Sequence, residues 1–444
     1  MTLASKDSKI LIVGGGGTIG SSTALHLARK GYTDVRLLDI YQNPSLNSAG
    51  NDNNKVSRQS TASTDGQMAG DDSAGIWGQL GTEAWRMWTT DPVFKDHAHE
   101  VGRLDLTSKS EREERLRKRY EAVVAEGRGD LLEWLSNRDE IVAKAPHLKD
   151  ADMENWKGLY VKKGGWVAAR NALNSVGHEL RKLGVKSAFG SAGTFASLLL
   201  ADDGKVVKGI RAADGTEWQG DLVVFATGAW SPSLLDLEGQ CVSKAWVYAH
   251  IRLTPEEAQA LKGIPTTYNH ELGFIMEPEE GTRELKICNE FSGYTHIQPC
   301  RPFGLDNDVN ISVPRSHADN PTDTISHESL EDIKRLVNQW LPHLNGRPFF
   351  KTSMCWCTDT ANMNWLMCEH PKYKGLVVAT GDSGQTFKMF PVVGKQVVDL
   401  IEGKLPHDRK DLWRWRPGTG DNGTGRGGLD PKDLKDVEGW NHDV

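Results

Sequence analysis

The chain has 444 residues, of which 38% are hydrophobic and 25% charged, with a net charge of −7. This length outgrows one ordinary core, so two domains are expected, and no basic face marks a nucleic-acid binder. No apolar run approaches the roughly 20 residues needed to cross a bilayer, and six cysteines in so long a chain predict buried thiols rather than a disulfide framework.

In chain order, Met1 to Lys9 is polar and lacks a signal-peptide core. Lys9 to Val13 is a short β-branched run and predicts a buried strand. Gly14 to Gly17 follows, then helical spacing from Ser21 to Lys30, then a second strand, Val35 to Leu38, ending in Asp39. Together these form one βαβ unit. Gln59 to Ala74 is rich in small polar residues and predicts a loop, and Glu111 to Glu126 predicts a charged, solvated helix. Helical periodicity returns from Trp166 to Leu183. Strand-like runs follow at Val185–Phe189, Lys205–Arg211 and Leu222–Phe225, the last ending in Ala226-Thr227-Gly228. Residues 240 to 350 alternate short strands with loops and one helix, Leu330 to Trp340. Leu376 to Ala379 is again a buried strand, ending in Thr380-Gly381-Asp382, with a helix from Val392 to Glu402. The tail beyond Pro417 is Gly- and Asp-rich and is expected to wrap the surface. It ends Asn441-His442-Asp443-Val444, which is not a peroxisomal tripeptide, so a cytoplasmic protein is expected.

Gly15, Gly17 and Gly20 make a GxGxxG between the first strand and the first helix. Gly15 is expected to permit the tight turn, Gly17 to let backbone approach a pyrophosphate, and Gly20 to let helix pack on strand. The helix start at Thr18 and Ile19 offers free N–H groups to phosphates. Asp39 stands where a carboxylate accepts ribose hydroxyls. These features predict a bound dinucleotide without distinguishing FAD from a nicotinamide cofactor.

Two later motifs are less explicit. Cys355-Trp356-Cys357 reads as two core thiols, as half of a metal site without a second half, or as a flavin attachment point. Gly381 to Lys388 follows a strand, so its amides face an anion or form a surface turn. The strand-then-Ala-Thr-Gly pattern recurs far from the βαβ unit. The expected fold class is therefore α/β (α+β), with a Rossmann-like domain interleaved with a sheet-based substrate domain. The expected division is 1–60, 155–235 and 355–420 for the dinucleotide domain, 75–154 and 236–354 for the substrate domain, and 421–444 for the tail.

The chain resembles the fungal fructosyl amino acid and fructosyl peptide oxidases (amadoriases), within the monomeric sarcosine oxidase family. The resemblance runs over nearly the full length. It rests on Ile12–Leu27, Ser48–Lys55, Gly164-Gly165-Trp166, Ala226–Pro232, Cys241–Ile251, Lys286–Glu290, Ser312–Thr324, Cys355–Thr360, Gly381–Lys388 and Trp413–Pro417. It implies FAD held by Gly15, Gly17, Thr18, Ile19, Gly20, Asp39, Ser48, Lys55, Asp382, Gly384, Phe387 and Lys388, with Cys355 carrying a covalent 8α-thioether. It implies that Lys286 promotes reaction with O₂, because a fixed cation stabilises charge developing on oxygen, and that Lys55 serves the reductive half-reaction. Glu290 then contacts the sugar and amine. Lys388 and Arg414 grip the substrate carboxylate, with Arg416 competing for the role of Arg414. The implied substrates are glycated amino acids or peptides and O₂, taken by a monomer or weak dimer with no nucleic-acid, membrane or metal partner.

One stretch departs from the resemblance: Val56 to Ala74 is short on apolar residues, so whether Arg58 grips substrate stays open, as does chain-length preference. Oxidases of another secondary amine (sarcosine, pipecolate, saccharopine), a nicotinamide-dependent dehydrogenase and a non-catalytic dinucleotide binder are the competing readings.

Overall fold

The computed structural model describes residues 2–58, 74–289, 293–419 and 430–441. The strand Lys9–Val13 lies between Asp34–Leu38 and Leu222–Phe225, all parallel. Leu376–Thr380 and Lys186–Ala188 extend this sheet in parallel on its two sides, and Leu366–Glu369 closes one edge antiparallel. One six-stranded sheet thus draws on well-separated stretches of chain. Both of its faces are covered, which is why its strands read as unbroken apolar runs. Helices Thr18–Arg29, Ala169–Lys182 and Phe390–Ile401 pack on one face around Leu25, Leu173 and Val393. The antiparallel strands Phe195–Leu200, Val207–Ala212 and Glu217–Gln219 cover the other, with Phe195 edge-on to Phe225 at 5.1 Å.

A second, ten-stranded sheet is built around Cys241–Arg252, which pairs antiparallel with Phe349–Thr360 on one side and Glu284–Asn289 on the other. Gly273–Ile275, Thr266–Asn269 and Arg103–Thr107 continue the order. Period-two alternation divides its residues. Leu104, Leu106, Val247, Ala249, Leu285 and Ile287 face a core closed by helix His327–Trp340. Arg103, Asp105, Trp246, Tyr248, Lys286 and Cys288 face the opposite way, onto a cavity of about 1400 Å³ that reaches to the glycine turn of the first sheet.

Three expectations change. Helix Ala74–Thr90 packs through Ile76, Trp77, Leu80 and Trp88 into the core of the dinucleotide sheet, not with the substrate sheet, because its apolar stripe meets Phe390 and Val393. Phe349–Thr360 belongs to the substrate sheet along its whole length, so Cys355 sits in that sheet. In the tail, Lys432–Asp433 adds an edge strand beside Tyr294–Thr295, and Leu434 and Trp440 are buried in the core of the substrate sheet. Residues 420–429 lie outside the described residues. Among the described residues, no helix is long and apolar enough to cross a membrane.

Candidate active site

The glycine turn is tight for two different reasons. Gly14, not Gly15, takes the left-handed conformation, with φ of 81°. Gly15 is required by space: a Cβ there would meet Leu37 Cβ at 2.7 Å. At Gly20 a Cβ would come 2.3 Å from Gly14 O, so helix and turn touch backbone to backbone. Gly17 differs, because its nearest neighbour, Gly14 O, is 3.5 Å away. Its missing side chain leaves room towards the cavity that Gly17, Thr18 and Ile19 line. Gly17 also caps helix Thr18–Arg29 without any side-chain hydrogen bond. The first-turn N–H groups are left to an anion.

Asp39 lines the same cavity, yet its carboxylate already accepts from Gly16 N at 3.0 Å, Ser45 Oγ at 2.8 Å and Tyr41 N at 3.1 Å. Burial raises its pKa, and these donors oppose the rise. Ser48 lines the cavity and accepts from Gly50 N. In the loop after Leu376–Thr380, the Asp382 carboxylate accepts from Gly384 N at 2.8 Å and Thr358 N at 3.1 Å. These bonds tie the loop to the strand of Cys355 and hold Gly384, Phe387 and Lys388 on the cavity wall.

A cluster of two lysines and a thiol assembles from three strands. Lys55 comes from Lys55–Arg58, Lys286 from Glu284–Asn289 and Cys355 from Phe349–Thr360. Asp52, which the sequence reading did not single out, joins them. Its Oδ2 accepts from Lys286 Nζ and lies 2.8 Å from Lys55 Nζ. Lys286 also donates to Asn54 O at 3.3 Å and lies 4.8 Å from the Tyr248 ring centroid. Burial by itself would raise the pKa of Asp52, but the ammonium groups of Lys286 and Lys55 hold it well below the usual carboxylate range. Burial works against the charge on Lys55, but Asp52 and Cys355 keep its pKa far above the ordinary value. Lys55 Nζ is 3.5 Å from Cys355 Sγ. The Cys355 thiol is held low, first by a hydrogen bond with Cys357 and then, against burial, by Lys55. Cys288, on the same wall, is pushed up to about 12 by burial and stays a thiol. Asn54 Oδ1 is buried on this wall and has no hydrogen-bond partner among the described residues, an acceptor open to a ligand.

Two expected residues lie elsewhere. Arg414 is exposed, donates to Asp411 O at 2.5 Å and does not line the cavity. Arg416 is buried, its Nη1 donates to the carbonyls of Trp365, Leu412 and Arg414, and it does not line the cavity. The tryptophans flanking Arg414 turn inward, with Trp413 fully buried, which leaves that arginine on the outer side. The side chain of Arg58 and all of Glu290 lie outside the described residues. The helix expected to be solvated, Ser110–Ala125, buries Leu116 and Val123, and Arg112, Arg115, Lys118 and Arg119 line the outer end of the cavity. Tyr268 and Phe274 line it as well; none of these was foreseen.

A glycine turn shaped for a pyrophosphate, opening into a cavity whose far wall carries two lysines and a thiol, fits a dinucleotide with a redox ring. The family model of the FAD dependent oxidoreductases matches residues 9–400. The chain belongs to this family. Within this FAD-dependent family it belongs to the fructosyl peptide oxidase and amadoriase group. It is 46% identical to a fructosyl peptide oxidase from E. terrenum, with 99% of each chain covered and a TM-score of 0.93. It is 34% identical to the deglycating fructosamine oxidase (Amadoriase II) of Aspergillus fumigatus, covering 99% of this chain and 98% of that one, with a TM-score of 0.85. It is 27% identical to the L-saccharopine oxidase of Schizosaccharomyces pombe, over 92% of this chain and 93% of that protein. As an FAD-dependent amine oxidase, the chain has the cofactor space its glycine turn predicts.

Proposed function

We propose that this chain oxidises fructosyl amino acids and short fructosyl peptides at the carbon–nitrogen bond, with O₂ as acceptor. The observation that carries this reading is the convergence of Lys55, Lys286 and Cys355 on one cavity that Lys388 also lines. When bound, FAD supplies the hydride acceptor for the carbon beside the amine nitrogen and hands the electrons on to O₂, giving hydrogen peroxide. The oxidised substrate, an imine, hydrolyses to glucosone and the free amino acid or peptide.

The protein's residues supply charge, orientation and dryness. In this reading Lys286, held by Asp52, is the buried cation that stabilises charge developing on oxygen. Lys55 keeps its charge beside Cys355, and the lowered thiol suits Cys355 for a covalent bond to the flavin. Lys388, half-buried in the lining of the cavity, is in this reading the group that binds the carboxylate of the substrate's amino acid. Glu290 follows directly on the strand of Lys286 and remains the proposed contact for the sugar and amine.

A peroxide assay with fructosyl-valine, fructosyl-lysine, sarcosine, pipecolate and saccharopine tests the reading. Peroxide from the fructosyl compounds is expected. Peroxide from saccharopine alone would move the chain to the reading its Schizosaccharomyces pombe relative suggests, and from sarcosine or pipecolate alone to another secondary amine.

A further inference from the structure

The outer end of the cavity is strongly basic. Arg103, Arg112, Arg115, Lys118 and Arg119 line it, and among the described residues Asp105 is the carboxylate on that part of the wall. Four of the cations are engaged. Arg103 Nε and Arg119 Nη1 donate to Asp105 at 2.8 and 3.2 Å. Arg112 donates to His270 O, and Lys118 pairs with Glu114 at 2.7 Å. His270 adds no positive charge at neutral pH, because burial lowers its pKa to about 4. Arg115 is exposed and has no hydrogen bond or ion pair among the described residues. Helix Ser110–Ala125 is anchored by Leu116 and Val123, so Arg115 projects from a fixed element.

A continuous row of side chains joins this end to the cluster of two lysines and a thiol. Cys288, next but one to Lys286, is paired with Phe274, Phe274 with Tyr268, and Tyr268 with Asp105. Paired residues share a face. The rings of Phe274 and Tyr268 stack at 5.4 Å and 13°, and Arg103 lies 4.8 Å over Tyr268. Three strand spacings separate Lys286's strand from Arg103's, about 14 Å. One extended residue advances at most about 3.5 Å. The carboxylate of a single glycated amino acid, with its amine at Lys286, stops short of the arginines, whereas a glycated peptide crosses the aromatic strip and reaches them.

We infer that the arginine end, with Arg115 as its open donor, is an outer site for the C-terminal carboxylate of a glycated peptide. The inference rests on the fructosyl reading above and adds a length and terminus preference to it. Arg115 is then a specificity residue that makes no contact with the reacting atoms.

The test compares wild type, Arg115→Ala and Arg115→Lys on fructosyl-valine, on a fructosyl-valyl tetrapeptide with a free C-terminus, and on the same peptide amidated. For the free-acid peptide relative to fructosyl-valine, Arg115→Ala is expected to lower the kcat/KM ratio about tenfold through KM, as for loss of one charge-assisted hydrogen bond. Arg115→Lys recovers part of the loss, and the amidated peptide does not distinguish the variants. Equal effects on acid and amide, or no effect on either, overturn the inference. So does a wild-type enzyme that oxidises fructosyl-valine but not the tetrapeptide. Wild type inert on every fructosyl compound instead defeats the functional reading itself, before any variant is made.

Discussion

Lys286 and Asp52 form an ion pair whose side chains are only 4% and 5% exposed, and they lie on strands and loops 234 positions apart in sequence. Lys55 shares the same carboxylate oxygen. Removing one partner of a buried pair strands the other charge, which costs about 3–5 kcal/mol. Asp52→Asn is expected to lower unfolding free energy by that order at pH 7. Asp52 titrates below its ordinary 3.8 in the fold, so its contribution is complete above that value and drains as pH falls beneath it. Lys55 titrates above its ordinary 10.5, so its contribution is complete below that value and is lost only as pH rises through the still higher folded value. Urea denaturation at pH 7 and pH 3 should show the gap between wild type and variant narrowing in acid. An unchanged gap would remove Asp52 from the account.

Lys286→Met keeps the stem of the side chain and deletes the cation over Tyr248. If the cation serves oxygen, kcat/KM for O₂ falls on the order of 10²-fold, the usual effect of removing one preorganised charge. Anaerobic bleaching by substrate, followed by stopped flow, should change far less. Equal losses in both half-reactions would place Lys286 in substrate binding instead.

The parts of this protein legible in its sequence are the local ones. Lys9–Val13, Thr18–Arg29 and Asp34–Leu38 are neighbours in sequence, and apolar runs, a glycine turn and a helical period announce each. Lys55, Lys286, Cys355 and Lys388 came from likeness to a family, and all four line the cavity. Asp52 lies inside the Ser48–Lys55 stretch. Nothing local distinguishes it from the neighbouring asparagines; its meaning comes from sheet pairing that brings Lys286 to it. The basic wall was missed for another reason. Helix Ser110–Ala125 carries so many charges that its two buried residues, Leu116 and Val123, give a weak apolar stripe. Arg414 was misplaced because a Trp-Arg-Trp run fixes neither which way its arginine points nor which side of the tryptophans is buried.

The two neighbouring thiols make a clean pair for testing the proposed attachment of FAD. Lys55 lies 3.5 Å from Cys355 Sγ, and the Cys355 thiol is the one held low. Cys355→Ser should yield protein whose yellow colour is released on acid precipitation, while Cys357→Ser should keep colour in the pellet. Because Cys357 supports the lowered thiol, attachment in Cys357→Ser is expected to be slower when FAD is added to apoprotein at neutral pH. Colour lost from Cys357→Ser and retained by Cys355→Ser would reverse the assignment.

Gly17 and Gly20 lie in one motif, yet the structure separates their duties. A methyl group on Gly20 would sit 2.3 Å from Gly14 O and 2.9 Å from Gly15 Cα, and neither can yield without moving the first helix from its strand. A methyl group on Gly17 meets protein only at 3.5 Å or beyond, ordinary van der Waals contact. Gly20→Ala is therefore expected to lower Tm by several degrees, as overpacking of about 1–3 kcal/mol does, whether or not cofactor is present. Gly17→Ala is expected to fold as an apoprotein with near-wild-type Tm and to bind FAD weakly, because the methyl occupies space on the cavity side of the helix start. Thermal melts of apoprotein, with FAD titrated by fluorescence quenching, separate the two. If Gly17→Ala apoprotein loses as much stability as Gly20→Ala, or binds FAD like wild type, the open space at Gly17 is not the phosphate approach.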